Sequence, residues 1–371
     1  MPEPSLAEHG GDLGAIAHRY GVARSELIDF SANINPLGPP RVLLRALARA
    51  ARDPEALGRY PDAEHCGLRA ALARRLAVSP EAIAIGNGGA ALLDVAVRVR
   101  GIHRCLVPQP SFSENRRALE AAGADIVPFV LDAGRGFALD AGVAIEALDR
   151  DACDAIIVTN PHNPSGAVVA RCDMLALVHA ASARGALAIV DEAFVDYAPE
   201  VSTAGVAARE PNIIVLRSLT KFFAVPGLRA GYAICEPALA RRMETMLPSW
   251  PVTALAAIAL TAALGDTRYA RRALAQNARE RDRLSAALMK LGLRVYPSGA
   301  NFLLVELPPQ SPSAPELVSS LILHDRIVLR DCSSYESLGT RFVRAAVRGR
   351  RDNLRLIAAL ARTLKESRAT A

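Results

Sequence analysis

Several short apolar runs in this chain each stop on a cluster of polar residues or glycines, and that recurrence limits the fold more than any other feature. Residues 83–85 run into Gly86-Asn87-Gly88-Gly89, and residues 155–159 stop at Asn160-Pro161-His162-Asn163-Pro164-Ser165-Gly166. Residues 186–190 end in Asp191-Glu192, and residues 213–217 end just before Ser218. Further apolar runs occur at 103–107, 126–131 and 228–235. Near-continuous apolar strands must be covered on both faces. Alternating with helical stretches such as 90–99 and 174–184, they predict an α/β fold built on a largely parallel sheet. In open sheets of this kind ligands bind beyond the carboxyl ends of the strands, which is where the polar clusters fall.

The pattern around this region suggests a second unit. Amphipathic helices are predicted at 41–51 and 67–78, ahead of the sheet. After Glu236 a long helical stretch covers 237–291, followed by strand-like segments at 301–307, 327–329 and 342–347 and a last helix over 352–365. Residues 308–315 read as a proline-rich surface loop. The expected division is a large α/β domain over 41–245 and a smaller α+β domain formed by 1–40 plus 246–371. A chain of 371 residues, about half of them hydrophobic, can support both cores.

Composition narrows the class of function. The formal charge of +6 is carried by arginines spread along helices and not gathered in blocks, which disfavours nucleic acid and is compatible with a pocket for an anionic small substrate. The six cysteines contain no Cys-x-x-Cys pair, so a reduced, cytoplasmic setting without structural metal is expected. No apolar run reaches about 18 residues, and the first ten residues lack an apolar signal core, so no membrane association is expected.

Only three of the forty-four cationic side chains are lysines: Lys221, Lys290 and Lys365. Lysine, unlike arginine, can lose its proton and attack a carbonyl to form a Schiff base. Lys290 lies on an amphipathic helical pattern and Lys365 in the polar tail, whereas Lys221 sits in Ser218-Leu219-Thr220-Lys221-Phe222-Phe223-Ala224-Val225-Pro226-Gly227-Leu228-Arg229. Three further signals accompany it. Gly86-Asn87-Gly88-Gly89-Ala90 at a strand-to-helix turn suits a phosphate, although a plain turn would look the same. Asn163 in Asn163-Pro164-Ser165-Gly166 can donate to an oxygen, although a proline turn is also common. Asp191 at a strand end can hold a protonated ring nitrogen, cap a helix or form a salt bridge.

A phosphate cradle, an oxygen donor, a ring-nitrogen partner and a reactive lysine together match what pyridoxal 5'-phosphate requires of a protein. In these motifs and their order the chain resembles the fold-type I, aspartate-aminotransferase-like enzymes across nearly its whole length. That resemblance implies catalytic roles for Lys221 and Asp191. It implies that Gly88, Gly89, Ala90, Ser218 and Arg229 meet the cofactor phosphate, Phe112 the ring face, Asn163 the phenolic oxygen and Asp191 the ring nitrogen. Tyr60 would reach the cofactor phosphate of a second subunit, which implies a homodimer with shared sites.

Three segments are similar to the threonine-phosphate decarboxylases of cobalamin (vitamin B12) biosynthesis. They are His9-Gly10-Gly11-Asp12-Leu13 with Asp29-Phe30-Ser31-Ala32-Asn33-Ile34-Asn35-Pro36-Leu37-Gly38-Pro39, the stretch from Ser218 to Arg229, and Arg330-Asp331-Cys332-Ser333-Ser334-Tyr335 leading to Arg341-Phe342-Val343-Arg344. The resemblance implies decarboxylation of O-phospho-L-threonine to (R)-1-amino-2-propanol O-phosphate, with Asn33, Arg330, Arg344 and His9 on the substrate side. Arg344 is expected to face the carboxylate. The histidinol-phosphate aminotransferases are the alternative. They usually carry Asp-Glu-Ala-Tyr where this chain has Asp191-Glu192-Ala193-Phe194, so Phe194 brings no hydroxyl to the cofactor. A non-catalytic ligand-binding role is disfavoured by the intact Lys221 and Asp191.

Overall fold

The computed structural model describes residues 10–370. Its strands are β1 (Ile28–Asp29), β2 (Ile83–Gly86), β3 (Arg104–Gln109), β4 (Asp125–Val130), β5 (Ala155–Thr159), β6 (Leu187–Asp191) and β7 (Ile213–Ser218). They continue with β8 (Gly231–Ile234), β9 (Arg294–Val295), β10 (Phe302–Glu306), β11 (Ile327–Val328), β12 (Arg330–Asp331) and β13 (Phe342–Ala346). One seven-stranded sheet has the order β2-β8-β7-β6-β5-β3-β4. Its strands from β7 to β4 run parallel, and β8 runs antiparallel to both β7 and β2. This is the mostly parallel α/β sheet of the fold-type I enzymes. The run predicted at 228–235 becomes a strand only at Gly231. Pro226–Leu228 forms a short 3-10 turn, and Arg229 takes a left-handed backbone with φ 48°.

Alternation along the central strands builds a core on each face. Leu187 and Ile189 of β6 join Leu92, Ala96 and Leu119 on one side, while Ala188 and Val190 join Leu68, Met174 and Leu177 on the other. Each fully buried Leu or Ile contributes about 1.5–3 kcal/mol, so two-sided burial fixes the positions at which β5, β6 and β7 end. Among the described residues no helix is long and apolar enough to cross a membrane.

The helical stretch predicted at 237–291 is three helices: Pro237–Met246, Ala254–Leu264 and Thr267–Lys290. Pro248 and Pro251 fall in the first gap, and the side chains of Thr253 and Asp266 cap the starts of the second and third helices. Ala254–Leu264, which the expected division assigns to the smaller unit, packs its apolar side on Arg41–Ala50 and Cys66–Leu76 beside the large sheet.

The C-terminal part carries an antiparallel sheet ordered β12-β13-β10-β9. Leu303, Val305 and Val343 of this sheet pack with Leu284, Leu317, Leu321 and Leu356 of the surrounding helices. The loop expected at 308–315 ends earlier, because helix Ala314–Asp325 begins inside it. Ser313 and Glu316 form a capping box and Pro315 occupies the first turn, where its missing N–H costs nothing. The N-terminal segment is stitched to the same part of the fold. β1 pairs in parallel with β11, and Ala346 N–H donates to the Phe30 carbonyl at 2.8 Å.

Candidate active site

β5, β6 and β7 end side by side, with Thr159 in register with Asp191 and Asp191 with Leu216. The residues beyond them border a cavity of about 380 Å³. It brings together Ala90, Phe112, Asn163, Asp191, Phe194, Lys221 and Arg229 around the sheet ends with Asn33, Arg330 and Arg344 from the opposite wall. Gly10, Ser31, Glu114 and Tyr335 also line it, and sequence reasoning gave none of them a role.

The remaining predicted residues lie beside or away from this cavity. Gly88 and Gly89 open helix Gly88–Arg98 next to Arg229. A Cβ on Gly88, whose φ is +78°, would stand 2.8 Å from a guanidinium nitrogen of Arg229. A Cβ on Gly231 would meet the Arg217 carbonyl at 2.8 Å and the Gly88 backbone at 2.9 Å. The close approach of β8 to this turn therefore requires glycine. Ser218 is buried at the end of β7, its Oγ 2.7 Å from Thr220 Oγ1. Tyr60 stands apart from the cavity, 78% exposed and stacked on Trp250 with ring centroids 4.2 Å apart. His9 lies outside the described residues.

The loop bearing Lys221 is anchored through its backbone. Asn35 N–H donates to the Lys221 carbonyl at 3.2 Å, and Asn35 Nδ2 donates to the Phe222 carbonyl at 2.9 Å. Burial holds the Lys221 ammonium down at a pKa of about 8; Arg344 and Arg229 push the same way, and Asp191 opposes them. Burial also pushes the Asp191 carboxyl up to about 6, against a hydrogen bond from Ala193 N–H and the charge of Lys221. At neutral pH Asp191 is therefore mostly ionised, and Lys221 has an appreciable neutral fraction.

Asn163 is oriented by its neighbours. Its Oδ1 accepts from Arg344 and, at 3.4 Å, from the Tyr335 hydroxyl, which leaves the donor Nδ2 for a ligand oxygen. The loop itself is locked by His162, a residue sequence reasoning passed over. His162 Nε2 donates to the Pro110 carbonyl at 2.9 Å, so its Nδ1 accepts from Ser165 Oγ at 2.7 Å. Burial lowers the His162 pKa to about 4, which keeps that arrangement neutral. Beneath Asp191 and Ser218, Glu192 and Arg217 form a buried pair at 2.8 Å, and Ser202 and Thr203 donate to the same carboxylate. The pair ties the ends of β6 and β7 together.

Arg330 and Arg344 are directly opposite each other on β12 and β13, and both are buried. Like charges facing each other across a strand pair are destabilising. The described contacts of Arg344 are Asn163, the Tyr335 hydroxyl, the Ser31 carbonyl and the Phe302 ring face. Its Nε is buried without a partner, as is Asn33 Oδ1. A buried guanidinium in this state is costly until an anion reaches it.

Residues 25–360 match the family described as aminotransferase class I and II. The chain is 36% identical to the threonine-phosphate decarboxylase of Salmonella typhimurium, over 96% of either chain. It is 31% identical to a histidinol-phosphate aminotransferase of Oleidesulfovibrio alaskensis, over 94% of this chain and 90% of the other. Among solved structures, the L-threonine-O-3-phosphate decarboxylase of Porphyromonas gingivalis superimposes with a TM-score of 0.80 at 25% identity, covering 91% of this chain and 99% of that one.

Proposed function

We propose that this chain, which belongs to the aminotransferase class I and II family, decarboxylates O-phospho-L-threonine to (R)-1-amino-2-propanol O-phosphate in cobalamin biosynthesis. It is a pyridoxal 5'-phosphate enzyme, and the cavity fits that cofactor. An amine of lowered proton affinity, an ionised carboxylate, an oriented amide donor and a glycine-opened helix start beside a guanidinium surround one space. Lys221 would hold the aldehyde carbon, Asp191 the ring nitrogen, Asn163 the phenolic oxygen and Phe112 the ring face. Gly88, Gly89, Ala90, Ser218 and Arg229 would hold the phosphate, and Phe194 closes the side where a hydroxyl is missing. When bound, the cofactor supplies an electron sink for the bond broken at Cα.

The observation that carries the substrate reading is the buried pair of arginines in direct cross-strand register above Lys221. Two adjacent guanidiniums suit a substrate with two anionic groups close together, and O-phospho-L-threonine carries a carboxylate and a phosphate on neighbouring carbons. Arg344 would face the carboxylate and Arg330 the phosphate, both from the cavity wall. Asn33 would complete the substrate side among the described residues. By fixing the carboxylate, Arg344 would determine that the carbon–carboxylate bond is the one weakened by the electron sink the cofactor supplies. Lys221 Nζ, with its proton affinity lowered to about 8, then delivers a proton to Cα.

A second reading, amino transfer from histidinol phosphate, is favoured by the similarity to the Oleidesulfovibrio enzyme. Incubation of the holoenzyme with O-phospho-L-threonine separates the two. The expected result is one CO2 released per amine product, with no consumption of added 2-oxoglutarate. Stoichiometric glutamate would sink the decarboxylase reading.

We further propose a homodimer with shared sites. Tyr60 and Trp250 form an exposed aromatic stack, and Val42, Leu44, Leu57 and Ile258 expose apolar surface on helices that pack together nearby. Sedimentation at twice the monomer mass is expected, with Tyr60→Phe weakening cofactor binding. A stable monomer with full activity would refute shared sites.

A further inference from the structure

Tyr335 touches Arg330, Arg344 and Asn163 at once. Its hydroxyl accepts from Arg344 at 3.2 Å and donates to Asn163 Oδ1 at 3.4 Å. Because Arg344 also donates to Asn163 Oδ1, the three side chains close a ring of hydrogen bonds. The aromatic face of Tyr335 carries the Arg330 guanidinium, 5.6 Å from the ring centroid, and the preceding Ser334 accepts from Arg330 at 3.0 Å. The ring itself is fixed, buried against Cys332, Leu338 and Phe342. One rigid side chain thus stands between two guanidiniums that would otherwise repel across β12 and β13.

We propose that Tyr335 is a positioning residue that sets the spacing and tilt of Arg330 and Arg344 and keeps the Asn163 amide turned toward the cofactor. The hydroxyl occupies one N–H of Arg344 and so fixes how the guanidinium is turned in the cavity wall. The negative face of the ring attracts the Arg330 guanidinium and holds it at a fixed place opposite Arg344. Substrates whose two anions lie on adjacent carbons are selected because the distance between the two arginines is set by this ring and not by flexible side chains. This inference rests on the two-anion substrate reading for its kinetic consequence, but its effect on Asn163 does not depend on the substrate.

Tyr335→Phe keeps the ring and its packing and removes only the hydroxyl. In the holoenzyme the KM for O-phospho-L-threonine is expected to rise about tenfold, the scale of a lost hydrogen bond to a charged group, with kcat changed by no more than about threefold. In the cofactor-free chain the dissociation constant for pyridoxal 5'-phosphate, read by absorbance titration, is expected to rise about fivefold as Asn163 loses its fixed orientation. A double-mutant cycle with Arg344→Lys should show the two substitutions to be less than additive in KM. Wild-type KM and wild-type cofactor affinity in Tyr335→Phe would overturn the proposal, as would strict additivity in the cycle. If the wild-type holoenzyme releases no CO2 from O-phospho-L-threonine, the functional reading fails instead, and the cofactor titration still decides the role of Tyr335.

Discussion

Replacing Lys221 with alanine is expected to abolish the visible absorbance of lysine-linked cofactor and to reduce CO2 release about ten-thousand-fold or more. No described neighbour can take over, because Lys290 and Lys365 lie on helices remote from the cavity lining. The fold should survive, since removing a partly buried ammonium relieves its repulsion with Arg344 and Arg229. A second signature comes from titration. Capture of cofactor by the wild-type chain requires the neutral amine, so its rate should fall about tenfold per pH unit once the pH is below the lysine pKa, which burial sets at about 8. A variant that keeps the same band would show that another amine carries the cofactor.

Asp191→Asn has the next largest effect. The amide is nearly the same shape and can still accept from Ala193 N–H, which the carboxylate does at 3.0 Å. What it lacks is the negative charge that would keep a ring nitrogen protonated. Loss of one such preorganised electrostatic contact costs about a hundred- to a thousand-fold in kcat. Asp191 is also the charge that raises the Lys221 pKa, so its removal should move the acid limb of cofactor capture to lower pH. A merely structural aspartate would reduce stability and leave kcat where it was.

The sheet half of the cavity can be read from local sequence. Asp191 and Lys221 follow apolar runs whose length and termination dictate a buried strand, and Gly88 follows another. The other half depends on contacts between distant segments. β1, β11 and β12 are each two residues long, too short for any alternation to register, yet they bring Asn33 and Arg330 to the cavity. Arg344 could be singled out only by resemblance, because Arg341, Arg348, Arg350 and Arg351 crowd the same stretch and only the β12–β13 register separates them. The roles of Tyr335 and His162 arise from partners that are distant in sequence and nearby in space, such as Asn163 for the first and Pro110 for the second. The helix starting at Ala314 was hidden because proline in a first turn reads, without its cap, as loop.

The way the N-terminal segment is fastened has a kinematic consequence. Phe30 is bonded into the C-terminal part of the fold through Val328 and Ala346, while Asn35 is bonded to the loop that carries Lys221. The stretch between them includes Ser31, Ala32 and Asn33 of the cavity wall. At about 3.3–3.6 Å per residue so short a strap cannot let the two walls draw far apart. It leaves them a pivot. Because the Ser31 carbonyl accepts from Arg344 and the Asn33 carbonyl from Asn301, any displacement of the arginine wall against the Lys221 loop would have to carry Asn33 with it.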